Sequence, residues 1–243
     1  MTAKTPKSRA GKRPGTAMRG DLQDAYEVRG NSQARLYTSF SVKTSKDVVL
    51  ANDLKLLHFF LRDSDPEVVN ITFQPTERSE KHGELCSVEY ISRDKTLHVE
   101  SVKYSRGLDK ARIARITSDL LEHYPPEGRH VLGEYARVAA RVTTEQEIVP
   151  GNETRLRNWN RLAKRFAETR FFSLAHAERL LMASLERGLP QGLCELVMMA
   201  SEQASAAQIL SAAIKAWANG ECSSDLDVKP FSTRSSFWLR GRA

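Results

Sequence analysis

The chain has 243 residues, of which 40% are hydrophobic and 28% charged, with a mean hydropathy of −0.46. That is enough apolar material for a core, but it contains no run of about 18 apolar residues, so a membrane-spanning helix is excluded; there is also no apolar h-region to suggest a signal peptide. A net charge of +7 and a pI of about 9.4 favour a polyanionic partner, because lysine and arginine at phosphates release counterions, and three unclustered cysteines, Cys86, Cys194 and Cys222, exclude a disulfide framework or zinc knuckle and read as buried thiols.

Residues 1–40 read as a disordered basic arm. Met1 to Gly20 carries Lys4, Lys7, Arg9, Lys12, Arg13 and Arg19 and no acid, with too little apolar content to offset chain entropy. It either lies along DNA phosphates, with Lys12 and Arg13 among the contacts, or is a solvated tail. Leu50, Leu54, Leu57 and Leu61 recur at helical spacing and predict a helix over 45–62, capped by Ser45 or Asn52 and ended by Ser64-Asp65-Pro66. Val68 to Phe73 alternates as a strand. After a polar turn, Leu85 to Ser92 and Thr96 to Tyr104 predict a hairpin closed by Arg93, Asp94 and Lys95. A helix over 109–123, stopped by Pro125-Pro126, precedes a strand over 135–142 and a helix over 158–166. This order implies an α/β domain over 41–170 with a mixed sheet flanked by helices.

From about residue 171 alanine, leucine and methionine replace strand residues. Helices are expected over 174–187, 193–200 and 204–218, then short extended pieces at 222–226 and 237–239. This is the layout of a small winged-helix-like domain over 171–243, or of a plain helical dimerisation module. Trp159, Trp217, Trp238, Met182, Met198 and Met199 read as packing residues, and the six scattered histidines do not pair at metal-ligand spacing.

Chemistry concentrates on the hairpin. Glu89 lies on its first strand. Ser101 and Lys103 are two apart on the second and so share a face, with Glu100 on the other. A carboxylate beside a lysine suits metal-dependent phosphodiester cleavage, the acid holding magnesium and the lysine countering developing charge; such pairs are also common as plain solvated groups. Arg155, Arg157, Arg161, Lys164, Arg165 and Arg170 form a basic cluster that reads as phosphate contact or as a solvated helix face.

The stretch from Asn52 to Pro75, NDLKLLHFFLRDSDPEVVNITFQP, resembles the opening of the TnsA family, the endonuclease subunits of heteromeric transposases. Asp65-Pro66-Glu67-Val68-Val69 and Gln74-Pro75 follow in the family's order. Ser87-Val88-Glu89-Tyr90 falls where the family writes Pro-Asp-Phe, and Val99 to Lys103 where it writes its lysine-bearing strand. Val142 to Ile148, Arg157-Asn158-Trp159 with Leu162, and GECSSDL from Gly220 to Leu226 continue the series. The resemblance implies a restriction-endonuclease-like PD-(D/E)xK fold, Mg2+ at an acidic site if the site is active, and cleavage at transposon 5′ ends. It also implies a DDE-type transposase subunit and an AAA+ ATPase regulator as partners beside DNA, and a bacterial cytoplasmic, nucleoid-associated location.

The pattern breaks at the site. Ungapped alignment on Asp65-Pro66 puts Lys55 at the family's first acid, where it repels a cation; Asp53 could substitute only in a shifted register. Glu89 replaces a shorter aspartate, and Ser101 is a neutral weak ligand, while Lys103 is intact. The leading expectation is therefore a TnsA-like component that holds DNA ends and its transposase and ATPase partners with little or no cleavage. A working nuclease using Glu89, Lys103 and Asp53, and a winged-helix regulator acting through the C-terminal part alone, are the alternatives.

Overall fold

A computed structural model describes residues 35–73, 86–188 and 190–241. Lys12, Arg13 and Gln74-Pro75 lie outside them.

The chain opens on a hairpin, β1 (Tyr37–Ser41) against β2 (Lys46–Leu50). Tyr37 to Ser41 thus belongs to the sheet structure rather than to the arm expected over 1–40. The helix expected from residue 45 also starts late: α1 spans Asp53–Asp63. β-branched Val48 and Val49 favour the strand. Ser45 sits in the turn with φ of 52°, and the Asn52 side chain caps the helix by accepting from Lys55 N at 2.9 Å. Leu50 kept the apolar period by coincidence and is buried on the strand instead.

After α1 come β3 (Val68–Phe73), β4 (Val88–Ser92), β5 (Thr96–Val102), α2 (Lys110–Leu121), the small hairpin β6 (Gly128–His130) and β7 (Gly133–Tyr135), and β8 (Arg137–Thr143). β3, β4 and β5 pair antiparallel and β8 joins β5 in parallel, giving the order β3-β4-β5-β8. The protein is therefore α/β, with a mixed sheet flanked by helices. β4 and β5 are buried almost throughout, because α1 covers one face and α2 the other. Val88, Tyr90, Ile71 and Phe73 pack toward α1; Ile91, Leu97 and Val99 pack with Leu120 of α2.

Next follow α3 (Glu145–Ile148), α4 (Glu153–Glu168), α5 (Ala175–Leu185), β9 (Gln191–Gly192), α6 (Leu193–Ala200), α7 (Ala206–Ala218), β10 (Cys222–Ser224), a 3-10 turn at Asp225–Asp227 and β11 (Ser236–Leu239). The last three strands form a sheet ordered β10-β11-β9. The boundary expected at residue 170 is not a gap between cores: one apolar cluster runs from Phe40 through α1 and α4 to α7 and Phe237. Trp159 of α4 meets Trp217 of α7 edge-on, centroids 5.4 Å apart, and both are buried.

Polar groups fasten the same seam. Asp63 accepts from Ser41 Oγ at 2.6 Å, from the Val42 and Lys43 amides, and from Trp159 Nε1 at 3.1 Å. Lys43 Nζ donates to Val68 O at 2.7 Å and Ala218 O at 2.6 Å. The buried amide of Asn158 donates to Leu226 O and Lys229 O and accepts from Phe231 N, so its own polar atoms are satisfied away from water. Gly220, at φ of 66°, ends α7. A Cβ there would meet Pro66 Cβ at 3.0 Å and the Arg93 guanidinium at 2.7 Å, so only glycine allows this approach.

Three side-chain expectations need correction. Cys194 is exposed, unlike Cys86 and Cys222. Met198 and Met199 are exposed as well, because α6 turns Leu193, Leu196 and Ala200 inward and leaves them on its outer side.

Candidate functional site

The two faces of the central sheet carry different polar clusters. On the α2 side Glu89 is 2% exposed. Tyr124 donates its hydroxyl to Glu89 Oε1, and His130 Nε2 lies 3.2 Å from Oε2. The Leu132 amide donates to His130 Nδ1, which leaves the proton on Nε2 for the carboxylate. Glu89 therefore ties the β6–β7 hairpin to the sheet.

Ser101 shares that face by strand alternation. Its Oγ is buried without a hydrogen-bond partner among the described residues. The register sets Val88 opposite Glu100 and Glu89 opposite Val99. The first-strand residue beside Ser101 is accordingly Ser87, which donates its amide to Glu100 O and accepts from Val102 N. Lys103, half-buried just past β5, donates its amide to Thr143 O. Its position falls four residues beyond Val99, roughly 13 Å along the strand at about 3.3 Å per residue. Glu89 and Lys103 thus share a side of the sheet but are not side by side.

The helix-borne candidates lie on the other face. α1 packs where Glu100, not Glu89, points. Lys55 is half-buried in its first turn, and Asp53, at its start, accepts from the Tyr37 hydroxyl. Neither is brought to Glu89. Magnesium requires a shell of oxygen ligands, usually anchored by more than one carboxylate. Glu89 alone, already capped, with a serine for company, does not fit that demand, and no cluster of three histidine, cysteine or acidic side chains able to hold a metal exists among the described residues.

Glu100 holds the denser cluster. It is fully buried and accepts from His58 Nε2 at 2.5 Å, Arg62 at 3.0 and 3.2 Å, Tyr90 OH at 2.8 Å and Arg141 Nε at 2.7 Å. Burial alone would raise this carboxyl, but His58, the Arg62 guanidinium and the Tyr90 hydroxyl outweigh it and hold it down at about 2. Burial lowers His58, so the imidazole serves as a neutral donor. This is a structural ion pair cluster, with Arg62 also stacked 5.2 Å from the Tyr90 ring centroid. Its members escaped the sequence reading except Glu100, whose face alternation had assigned; the pairing of one strand acid with two arginines 38 and 41 residues away leaves no local signal.

The basic candidates divide by use. Arg157, Arg161, Lys164 and Arg165 are exposed on α4, Arg165 pairing with Glu168 at 3.4 Å. Arg155 is occupied structurally, on Ser64 and Asp227. Arg170 pairs with Asp47 at 3.2 Å.

No protein-family model matches the chain, and no curated protein matches it. No helix among the described residues is long and apolar enough to cross a membrane.

Proposed function

We propose that this chain is a TnsA-like component of a DNA transposition system that holds transposon-end DNA and does not cut it. The observation that carries the reading is an α1-β3-β4-β5-α2-β8 core, the arrangement expected of a restriction-endonuclease-like fold, in which the surviving acid Glu89 is closed off by Tyr124 and His130. The order α5-β9-α6-α7-β10-β11, with β11 between its neighbours, supports a winged-helix-like C-terminal part. Its third helix, α7, is buried from Ser211 to Ala218 apart from half-buried Lys215, however, which weighs against the regulator that reads DNA through that helix alone. The exposed cations of α4 are the better phosphate contacts. A DDE-type transposase and an AAA+ ATPase are the partners this reading carries.

Two measurements test it. Supercoiled plasmid incubated with the protein and Mg2+ or Mn2+ is expected to stay unnicked, with Lys103→Ala indistinguishable from the parent; nicking that disappears in Lys103→Ala overturns the non-cutting reading. Replacing Arg157, Arg161, Lys164 and Arg165 together by alanine is expected to weaken duplex binding equally across sequences and to flatten the log K against log salt slope by about 3–4, at about 0.9 per phosphate contact. An unchanged slope removes α4 from the interface.

A further inference from the structure

An open groove of about 540 Å³ runs between β1, α1 and α4, lined among others by Tyr37, Phe40, Phe60, Asn160, Lys164 and Arg170. That volume is within the roughly 300–1,000 Å³ of small-ligand sites. Arg157, Arg161 and Lys164 follow each other at spacings of four and three, so they form one stripe on α4, and Lys164 belongs both to the stripe and to the groove's lip. Just beyond α4, Phe171 and Phe172 are 71% and 63% exposed. The Arg170 guanidinium lies 4.9 Å from the Phe171 ring centroid and 5.9 Å from that of Phe40, and so links the exposed pair to the groove. Asp47, on the lip, is paired with Arg170.

Two adjacent phenylalanines in water cost free energy unless something covers them. Here the surroundings specify the cover. Cations in a line match a phosphate backbone, and exposed rings beside them match the faces of unstacked bases. An aromatic-floored groove with polar groups at its edge accepts a planar heterocycle. We infer that this face binds DNA at an unpaired or extruded nucleotide, the α4 cations holding the strand while Phe171 and Phe172 stack on the freed bases and the groove receives one of them. The inference rests on the DNA-holding reading and deepens it, since it selects distorted over fully paired DNA.

The test uses the full chain with three probes: a paired duplex, the same duplex carrying one bulged 2-aminopurine, and polyglutamate. The parent is expected to bind the bulged duplex more tightly than the paired one and to change the 2-aminopurine fluorescence through stacking. Phe171→Ala and Phe172→Ala are each expected to weaken bulged-duplex binding about tenfold, within the usual range for base–aromatic stacking, while leaving paired-duplex binding and the melting temperature unchanged. Equal loss on both duplexes, or no loss, overturns the inference and leaves DNA holding intact. Displacement of bulged DNA by polyglutamate at matched charge, with the same dependence on Phe171, assigns the face to an acidic peptide and overturns it. Failure to bind either duplex removes this inference and the DNA-holding reading together.

Discussion

Glu100→Gln is expected to lower folding stability by about 3–5 kcal/mol, the usual cost of removing one partner from a buried ion pair. The change preserves shape, so no cavity contributes. What is lost is the counter-charge of Arg62, whose side chain is 10% exposed, whereas Arg141, at 46%, can turn to water. For a chain of this size the loss corresponds to a fall of roughly 6–20 °C in Tm, read by thermal or urea denaturation. Adding Arg62→Met should restore part of it, because an uncharged pair leaves no stranded cation. A loss below about 1 kcal/mol would show the cluster to be dispensable, below even the usual worth of a charged hydrogen bond.

The same carboxylate sets a pH dependence. Its folded value of about 2 lies below the ordinary 4.5, so its contribution is complete above about 4.5 and drains away as pH falls toward 2. Asp63 works in the opposite sense: burial pushes it above its ordinary range, and acid relieves that cost. The parent's acid-limb slope minus that of Glu100→Gln isolates Glu100, at most about 1.4 kcal/mol per pH unit for one proton.

Trp217→Ala is expected to cost about 3–5 kcal/mol, as for other fully buried aromatic side chains, and to leave a single unfolding transition at a lower midpoint. The indole is 1% exposed and meets Trp159, itself 0% exposed, where α4 joins α7. A cavity there loosens both halves, since they share one apolar cluster. Near-UV circular dichroism and intrinsic fluorescence should therefore melt together. Two separated transitions, the second at the parent's midpoint, would mean that the halves fold independently.

Where local pattern and tertiary role coincided, the sequence was readable. The β3, β4 and β5 strands and the stop at Pro125-Pro126 rest on short-range chemistry. The N-terminal hairpin was hidden because Leu50 mimicked helical spacing. β6 and β7 were hidden because three-residue strands carry no usable alternation. At the site, alternation separates Ser101 from Glu100 within one strand, but register is a pairing property: nothing in either strand alone says that Glu89 faces Val99. Tyr124 and His130 reach Glu89 from segments 35 and 41 positions away, and no motif announces them.

The contact of Lys43 with Ala218 spans 175 residues, and Asn158 waits for Leu226 to Phe231. During synthesis the opening hairpin and α1 thus leave the ribosome long before the groups that seal them exist. Until α7 emerges, Trp159 lacks the Trp217 ring that meets it and Lys43 lacks one of its two carbonyls. Such far-reaching contacts slow folding and leave apolar surface open to chaperones in the interval, so a nascent chain halted before Ala218 is a client for quality control, whatever its first domain's worth of residues could build on paper.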